Sequence, residues 1–306
     1  MRRQESGWLS GVLLPVVTPF DPVTGEIAPV SFRENLRRWL EAPIDGIVLF
    51  GTNGEGALLD DEEKLRLVGF ARDLVPPLVP LVAGAGKEST RGTIAEARRL
   101  AEAGVDALLV RPPAYFGAYL TPAALREHFL AVADASPAPI IVYNAPRFTG
   151  INLEPGLVRE LARHENVVGL KDSSGNLKRL AAYAEACEGR CRLLVGNGAL
   201  LYAALELGAS GGIIGLGMVA PHGCAQIVRE YREGAARRAG ELQERLAPVH
   251  RVVIGEFSVP GLKTALDLLG YNGGPPRPPL RPLGAKERAR VARVLQEAGL
   301  LEEGVV

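Results

Sequence analysis

The stretch Val167-Val168-Gly169-Leu170-Lys171-Asp172-Ser173-Ser174-Gly175 sets a lysine at the end of an apolar run and just ahead of a turn. The run reads as a buried β-strand, and Asp-Ser-Ser-Gly as its exit into a loop. Burying an ammonium is costly. A lysine at such a strand end can therefore snorkel to water along its aliphatic stem. It can equally lose its proton in apolar surroundings and serve as a nucleophilic amine. The segment by itself leaves both readings open.

Short apolar runs recur on either side, at residues 11–19, 46–50, 78–83, 107–110, 139–143, 191–195 and 211–215. Each is rich in Val, Ile or Leu and bounded by Gly or Pro, as buried parallel strands are. Helical spacing fills the intervals. Residues 91–103, for example, put Ile94, Ala97, Leu100 and Ala101 on one face and arginines elsewhere. Together with 167–170 these runs predict an α/β fold, a (β/α)8 TIM barrel spanning residues 8–220. A doubly wound sheet competes, but it would show a glycine-rich turn after its first strand. Val17-Thr18-Pro19-Phe20-Asp21-Pro22 has none. Residues 221–306 carry no strand pattern and read as a C-terminal helical region packed on the barrel. Its helices are expected at 220–233, 236–254, 259–269 and 284–298, with the Pro-rich segment 273–279 as a stiff linker or arm before the last helix.

Composition narrows the function classes. The 306 residues are 47% hydrophobic and 23% charged, with a formal net charge of zero and no basic tract. Neither nucleic acid nor an anionic membrane surface is an expected partner. Cys187, Cys191 and Cys224 make no disulfide framework, and the scattered His128, His164, His222 and His250 complete no zinc pattern with them. Neither a metal nor a cofactor is expected. The N-terminal residues show no signal-peptide pattern, and no uncharged stretch reaches the ~20 residues of a membrane helix. The cytoplasm is the expected compartment.

In a barrel the chemistry sits where the C-terminal ends of the strands meet. The second strand ends in Phe50-Gly51-Thr52-Asn53-Gly54-Glu55, the fourth runs into Arg111–Gly117, the fifth ends in Val142-Tyr143-Asn144, and the sixth in Lys171. A neutral lysine amine condenses with a ketone to an iminium, an electron sink for an adjacent carbon–carbon bond. Lysine's reference pKa of ~10.4 must fall for that to happen near neutrality, and burial lowers it. The Tyr143 hydroxyl, on the neighbouring strand, can carry protons; it can also be a core aromatic satisfied elsewhere. The Gly51–Glu55 loop exposes backbone N–H groups and adds Thr52 and Asn53 as donors, a nest suited to a carboxylate. Gly84-Ala85-Gly86 and Gly196-Asn197-Gly198 read as plain turns.

The motifs Gly51-Thr52-Asn53-Gly54-Glu55, Ala83-Gly84-Ala85-Gly86, Val142-Tyr143-Asn144-Ala145-Pro146, Thr149-Gly150, Gly169–Ser174 and Pro260-Gly261-Leu262-Lys263 follow a familiar order. In them the chain resembles the dihydrodipicolinate synthase / N-acetylneuraminate lyase family from about Gly11 to Leu300. The resemblance implies a homotetramer built from dimers and metal-free class I pyruvate chemistry on a small 2-oxo acid. It implies Lys171 as the Schiff-base residue, Tyr143 as proton shuttle and Thr52 and Asn53 at the substrate carboxylate. It also implies a role for Tyr115 in a neighbouring subunit's site. Gly51, Arg147 and Ser173 complete the expected substrate contacts.

Within that family the residues facing the second substrate discriminate. Dihydrodipicolinate synthases usually carry a second threonine where Asn53 stands, and an arginine for a substrate carboxylate where Phe148 stands. A phenylalanine cannot pair with a carboxylate, and Arg147 is one residue out of place. Gly196-Asn197-Gly198 lacks the acid expected of a sialate lyase. The Asn-Gly-Glu loop, 85–90 and 260–279 look most like 4-hydroxy-2-oxoglutarate aldolase, although Asn144 stands where a serine is expected. The expected reaction is retro-aldol cleavage of 4-hydroxy-2-oxoglutarate or a close 2-oxo acid, with Tyr143 and Thr52 taking the C4 hydroxyl proton. A 4-hydroxy-tetrahydrodipicolinate synthase, a 2-keto-3-deoxy sugar acid aldolase and a catalytically dead pyruvate-binding barrel are the alternatives.

Overall fold

In a computed structural model, which describes residues 8–302, the apolar runs form eight parallel strands. They are β1 (Gly11–Pro15), β2 (Gly46–Leu49), β3 (Leu81–Ala85), β4 (Ala107–Val110), β5 (Ile140–Asn144), β6 (Val167–Asp172), β7 (Arg192–Val195) and β8 (Gly211–Ile213). They pair in chain order, and β8 closes on β1. The TIM-barrel expectation is met. The third strand starts later than expected, at Leu81: Pro76, Pro77 and Pro80 cannot donate to a ladder, and Leu78 is left 92% exposed.

The core is two-layered. Inside the barrel, Leu13, Val48, Val82, Ala107, Leu109, Ile141, Leu194 and Ile213 pack together above Leu9 and Trp8, which close the lower end. Between strands and helices lies a larger cluster that includes Val12, Ile47, Leu81, Leu108, Val142 and Leu170. The helix Thr90–Glu102 contributes Ala97 and Leu100 to it, with Ile94 and Ala101 packed at its edge, as the spacing predicts.

One irregularity decides the site. Ile140 pairs with Val167, but Ile141 pairs with Gly169, so Val168 is an extra residue in β6. A bulge of this kind shifts the inside–outside parity of the residues beyond it. Val167 and Leu170, three apart, both face the helices. Lys171 faces the interior, opposite Tyr143 in register. It lies within the strand and is 4% exposed, deeper than the strand-end position expected for it.

The chain beyond the barrel is helical, with α-helices Pro221–Arg232, Ala236–Val249, Ser258–Leu268 and Ala285–Glu297. The expected single helix over 236–254 instead changes at His250 into a π-helical stretch, His250–Glu256. Pro248 lies inside the preceding helix and lacks the N–H that regular winding needs. The Pro-rich segment 273–279 is an arm laid against the segment after β2. The Arg277 guanidinium pairs with both Glu63 oxygens at 2.6 Å and donates to Leu58 O and Gly25 O at 3.0 Å. Its backbone N–H donates to Glu55 at 2.8 Å. No helix among the described residues is long and apolar enough to cross a membrane.

Lys263 and Glu55 form a buried ion pair at 2.6 Å, each side chain 1% exposed. Lys263 also donates to the carbonyls of Thr18 and Pro275 at 2.8 Å. The pair joins the C-terminal helices to the loop after β2. Removing one partner strands the other charge in the core, so Lys263→Met is expected to cost about 3–5 kcal/mol. Urea unfolding checks this: the midpoint should fall with little change in slope, and an unchanged midpoint would remove the pair from the stabilising interactions.

Candidate active site

The loop after β2 is held under tension. Phe50 (φ +57°) and Glu55 (φ +55°) both adopt the left-handed conformation at its two ends. For such residues this costs about 1–3 kcal/mol each. At Glu55 the strain is offset by the buried pairing with Lys263 and the Arg277 N–H. The loop's turn bonds are made by the N–H of Gly54, Glu55 and Gly56, and those of Thr52 and Asn53 take no part in them.

Thr52 Oγ1 lies 3.3 Å from the Tyr143 hydroxyl, and Lys171 Nζ lies 4.3 Å from the Tyr143 ring centre. Burial pushes the Lys171 amine below its ordinary range, and Tyr143 partly restores it. Burial also pushes the Tyr143 hydroxyl up. The Lys171 charge and hydrogen bonding with Thr52, Ser173 and Lys171 outweigh that, and the phenol sits below its ordinary value. Amine and phenol thus share protons as a coupled pair. The neighbouring Asp172 contributes nothing here. It points to the other face of β6, where Asn144 Nδ2 at 2.8 Å and Ser174 Oγ at 2.7 Å bind its carboxylate.

A cavity of about 230 Å³ opens over Lys171, lined among others by Thr52, Asn53, Tyr143, Arg147, Ser173 and His250. A second, of about 450 Å³ and more apolar, lies beside it; Thr52, Tyr143, Phe148 and Ser258 border both. Of the expected contacts, Gly51 lines this second cavity and not the first. Arg147 lies at the Lys171 cavity with Nη1 donating to Gly255 O at 2.5 Å. Tyr115 borders neither; it is 82% exposed and packs edge-on against Phe116. Among the described residues no three His, Cys, Asp or Glu side chains group as metal ligands.

Two glycines read as plain turns are walls of the site. Gly84 lies within β3, and a Cβ there would stand 2.2 Å from Phe50 O, so only glycine lets the loop after β2 settle onto that strand. A Cβ on Gly196 would stand 1.9 Å from Ser173 Oγ. Ser258 and His250 were likewise missed. Ser258 borders both cavities in the left-handed conformation (φ +53°). The one available clue to this wall was Pro248, which marks where the helix breaks.

A family model described as the dihydrodipicolinate synthetase family matches residues 8–298. The chain belongs to that family. It is 34% identical to a 4-hydroxy-tetrahydrodipicolinate synthase of Methanopyrus kandleri, over 97% of this chain and 98% of that protein. It is 32% identical to an L-threo-3-deoxy-hexylosonate aldolase of Hypocrea jecorina, over 95% of each. A crystal structure of the Acinetobacter baumannii dihydrodipicolinate synthase complexed with pyruvate superposes with a TM-score of 0.91 at 28% identity, covering 96% of this chain and all of that one. The protein is therefore a pyruvate-dependent class I lyase of the aldolase type.

The coupling between Lys171 and Tyr143 has a sign that can be measured. The chain has only six lysines, Lys64, Lys87, Lys171, Lys178, Lys263 and Lys286, so ¹³C-lysine labelling can resolve each. Lys171 should titrate below the ordinary ~10.4. Tyr143 raises the amine, so Tyr143→Phe should move the Lys171 midpoint lower still. A midpoint unmoved or raised by that change would refute the coupling.

Proposed function

We propose that the protein cleaves 4-hydroxy-2-oxoglutarate, or a close 2-oxo acid, to pyruvate and glyoxylate through a Schiff base on Lys171. The charge of the cavity carries this reading. Its lining includes the Arg147 guanidinium and the Lys171 amine and no Asp or Glu. A substrate with a carboxylate at each end matches that inventory, whereas a polyol gains nothing from a wall without acceptor carboxylates.

The neutral Lys171 amine attacks the C2 ketone, and loss of water gives the iminium. Thr52, Asn53 and the loop amides beyond Gly51 hold the C1 carboxylate, with Ser173 beside Tyr143. Tyr143, relayed by Thr52, takes the C4 hydroxyl proton. The C3–C4 electrons then flow into the iminium, leaving an enamine as glyoxylate departs. Reprotonation at C3 and hydrolysis release pyruvate and regenerate the amine. Arg147 receives the terminal carboxylate.

The second reading, condensation of pyruvate with aspartate semialdehyde, is favoured by the name of the Methanopyrus kandleri relative. Phe148 counts against it, because it offers no charge where the resembling synthases place an arginine. For the assembly we propose a homotetramer built from dimers, in which the exposed Tyr115 completes a neighbouring subunit's site.

Borohydride treatment with pyruvate should add one pyruvate-derived mass to Lys171, and Lys171→Ala should abolish it. Tyr143→Phe should still trap but turn over ~10²–10⁴-fold more slowly. Offered 4-hydroxy-2-oxoglutarate, a 2-keto-3-deoxy sugar acid, and pyruvate with aspartate semialdehyde, the enzyme should prefer the first. Preference for aspartate semialdehyde would establish the synthase reading instead.

A further inference from the structure

One polar side chain in the wall of the Lys171 cavity has no partner and no role in the steps above. His250 opens the π-helical stretch and lines the cavity while being 6% exposed. Helical irregularities of this kind gather at functional sites, because the extra residue redirects side chains. The Nδ1 of His250 is buried and has no hydrogen-bond partner among the described residues. The loop after β7 closes over that nitrogen: a Cβ on Gly198 would stand 3.2 Å from it. Gln243 holds this loop in place, donating from Nε2 to Gly198 O at 3.1 Å.

Burial, and then the nearby Arg251 charge, push His250 down to about 4. The ring is therefore neutral at physiological pH and carries a single N–H. A buried donor without a partner is expensive. With Nδ1 enclosed, the cheaper tautomer leaves Nδ1 bare and puts the proton on Nε2, which is not enclosed in this way. Asn197 lies beside it in the cavity wall. Its Oδ1 is occupied by the Ala199 N–H at 3.0 Å, which leaves its amide N–H₂ as the free end. Arg147 adds guanidinium donors to the same cavity. Besides the Thr52 loop, the cavity lining thus offers donors from Arg147, Asn197 and His250, one cationic and two neutral.

We propose that His250 is a specificity-determining residue, donating from Nε2 to the terminal carboxylate on the aldehyde-derived half of the substrate. This rests on the acid-ended substrate proposed above and extends it to a named residue. A neutral donor suits the position. It recognises the anion without adding a second cation beside an amine that must stay deprotonated, and it costs no counter-charge in a cavity without carboxylates.

The test compares His250→Phe, which keeps the ring's bulk without the donor, with His250→Gln, whose Nε2–H reproduces it. Two substrates are used: 4-hydroxy-2-oxoglutarate and 4-hydroxy-2-oxopentanoate, which lacks the terminal carboxylate. His250→Phe should lower kcat/KM on the first by about 10–100-fold, chiefly through KM. It should leave the second, and borohydride trapping of pyruvate on Lys171, within about twofold. His250→Gln should recover most of the loss. Equal losses on both substrates, or a matching loss of trapping, would reduce His250 to a packing residue. Should the wild-type enzyme leave 4-hydroxy-2-oxoglutarate intact and condense aspartate semialdehyde, the substrate reading fails on its own. The same variants, compared on aspartate semialdehyde and propionaldehyde, then decide His250, because only the former carries a carboxylate. Preference for a polyhydroxylated aldehyde half with no terminal acid would overturn both.

Discussion

A single extra residue in β6 determines which way the reactive lysine points. Without the bulge at Val168, strict alternation from the outward-facing Val167 would send Lys171 to the helices and Asp172 into the barrel. With it, Gly169 and Lys171 turn inward, and Asp172 is consumed outside by Asn144 and Ser174. Both consequences are needed. The amine must sit where burial lowers its pKa, and no carboxylate can stand beside it to hold the proton on. A bulged residue three positions upstream of Lys171 achieves both at once, and the ladder absorbs it at the lower end of the barrel, away from the mouth.

The second constraint comes from the C-terminal helices, which act as a clasp on the barrel's mouth. Lys263 and Arg277 reach across to Glu55 and Glu63, and both cations also lie over the Phe20 ring, at 4.4 and 4.3 Å from its centre. A buried ion pair is poor evidence of net stability, because desolvation consumes much of its attraction. Its value here is geometric: it holds Glu55 in a left-handed conformation that a free loop would abandon, and so keeps Thr52 within reach of the Tyr143 hydroxyl. The Pro-rich segment is part of that clasp, because its proline-fixed backbone delivers the Arg277 side chain and N–H to two different carboxylates.

Much of this was legible in the sequence, and the rest was not, for identifiable reasons. Strand periodicity located all eight strands, since short Val- and Ile-rich runs bounded by Gly and Pro have few other uses. Lys171 and Tyr143 stood out as polar atoms on apolar runs of adjacent strands. The bulge was invisible, because Val168 fits the apolar run whether it counts once or is skipped. Gly84 and Gly196 looked like turns, because a glycine needed for close approach and one needed for a turn have the same letter. His250 was missed because helical spacing continues through it; only Pro248 signals that the winding changes.

The charge inventory of the cavity links these parts into one argument about chemistry. An acid beside Lys171 would raise its pKa and keep the amine protonated, so a sugar-binding wall built on carboxylates competes with imine formation unless it stands well away. A cavity that recognises its substrate with donors only escapes that conflict. The substrate then brings the negative charge, next to an amine whose pKa burial lowers. Once an iminium has formed, the substrate's own negative charge stabilises it. The bulge keeps Asp172 out, and the clasp keeps Glu55 occupied with Lys263. No Asp or Glu then lines the Lys171 cavity, while Glu55 and Glu88 line the neighbouring one. The selectivity proposed for acid-ended 2-oxo acids and the lowered pKa of Lys171 both draw on the same exclusion of Asp and Glu from the lining of the Lys171 cavity.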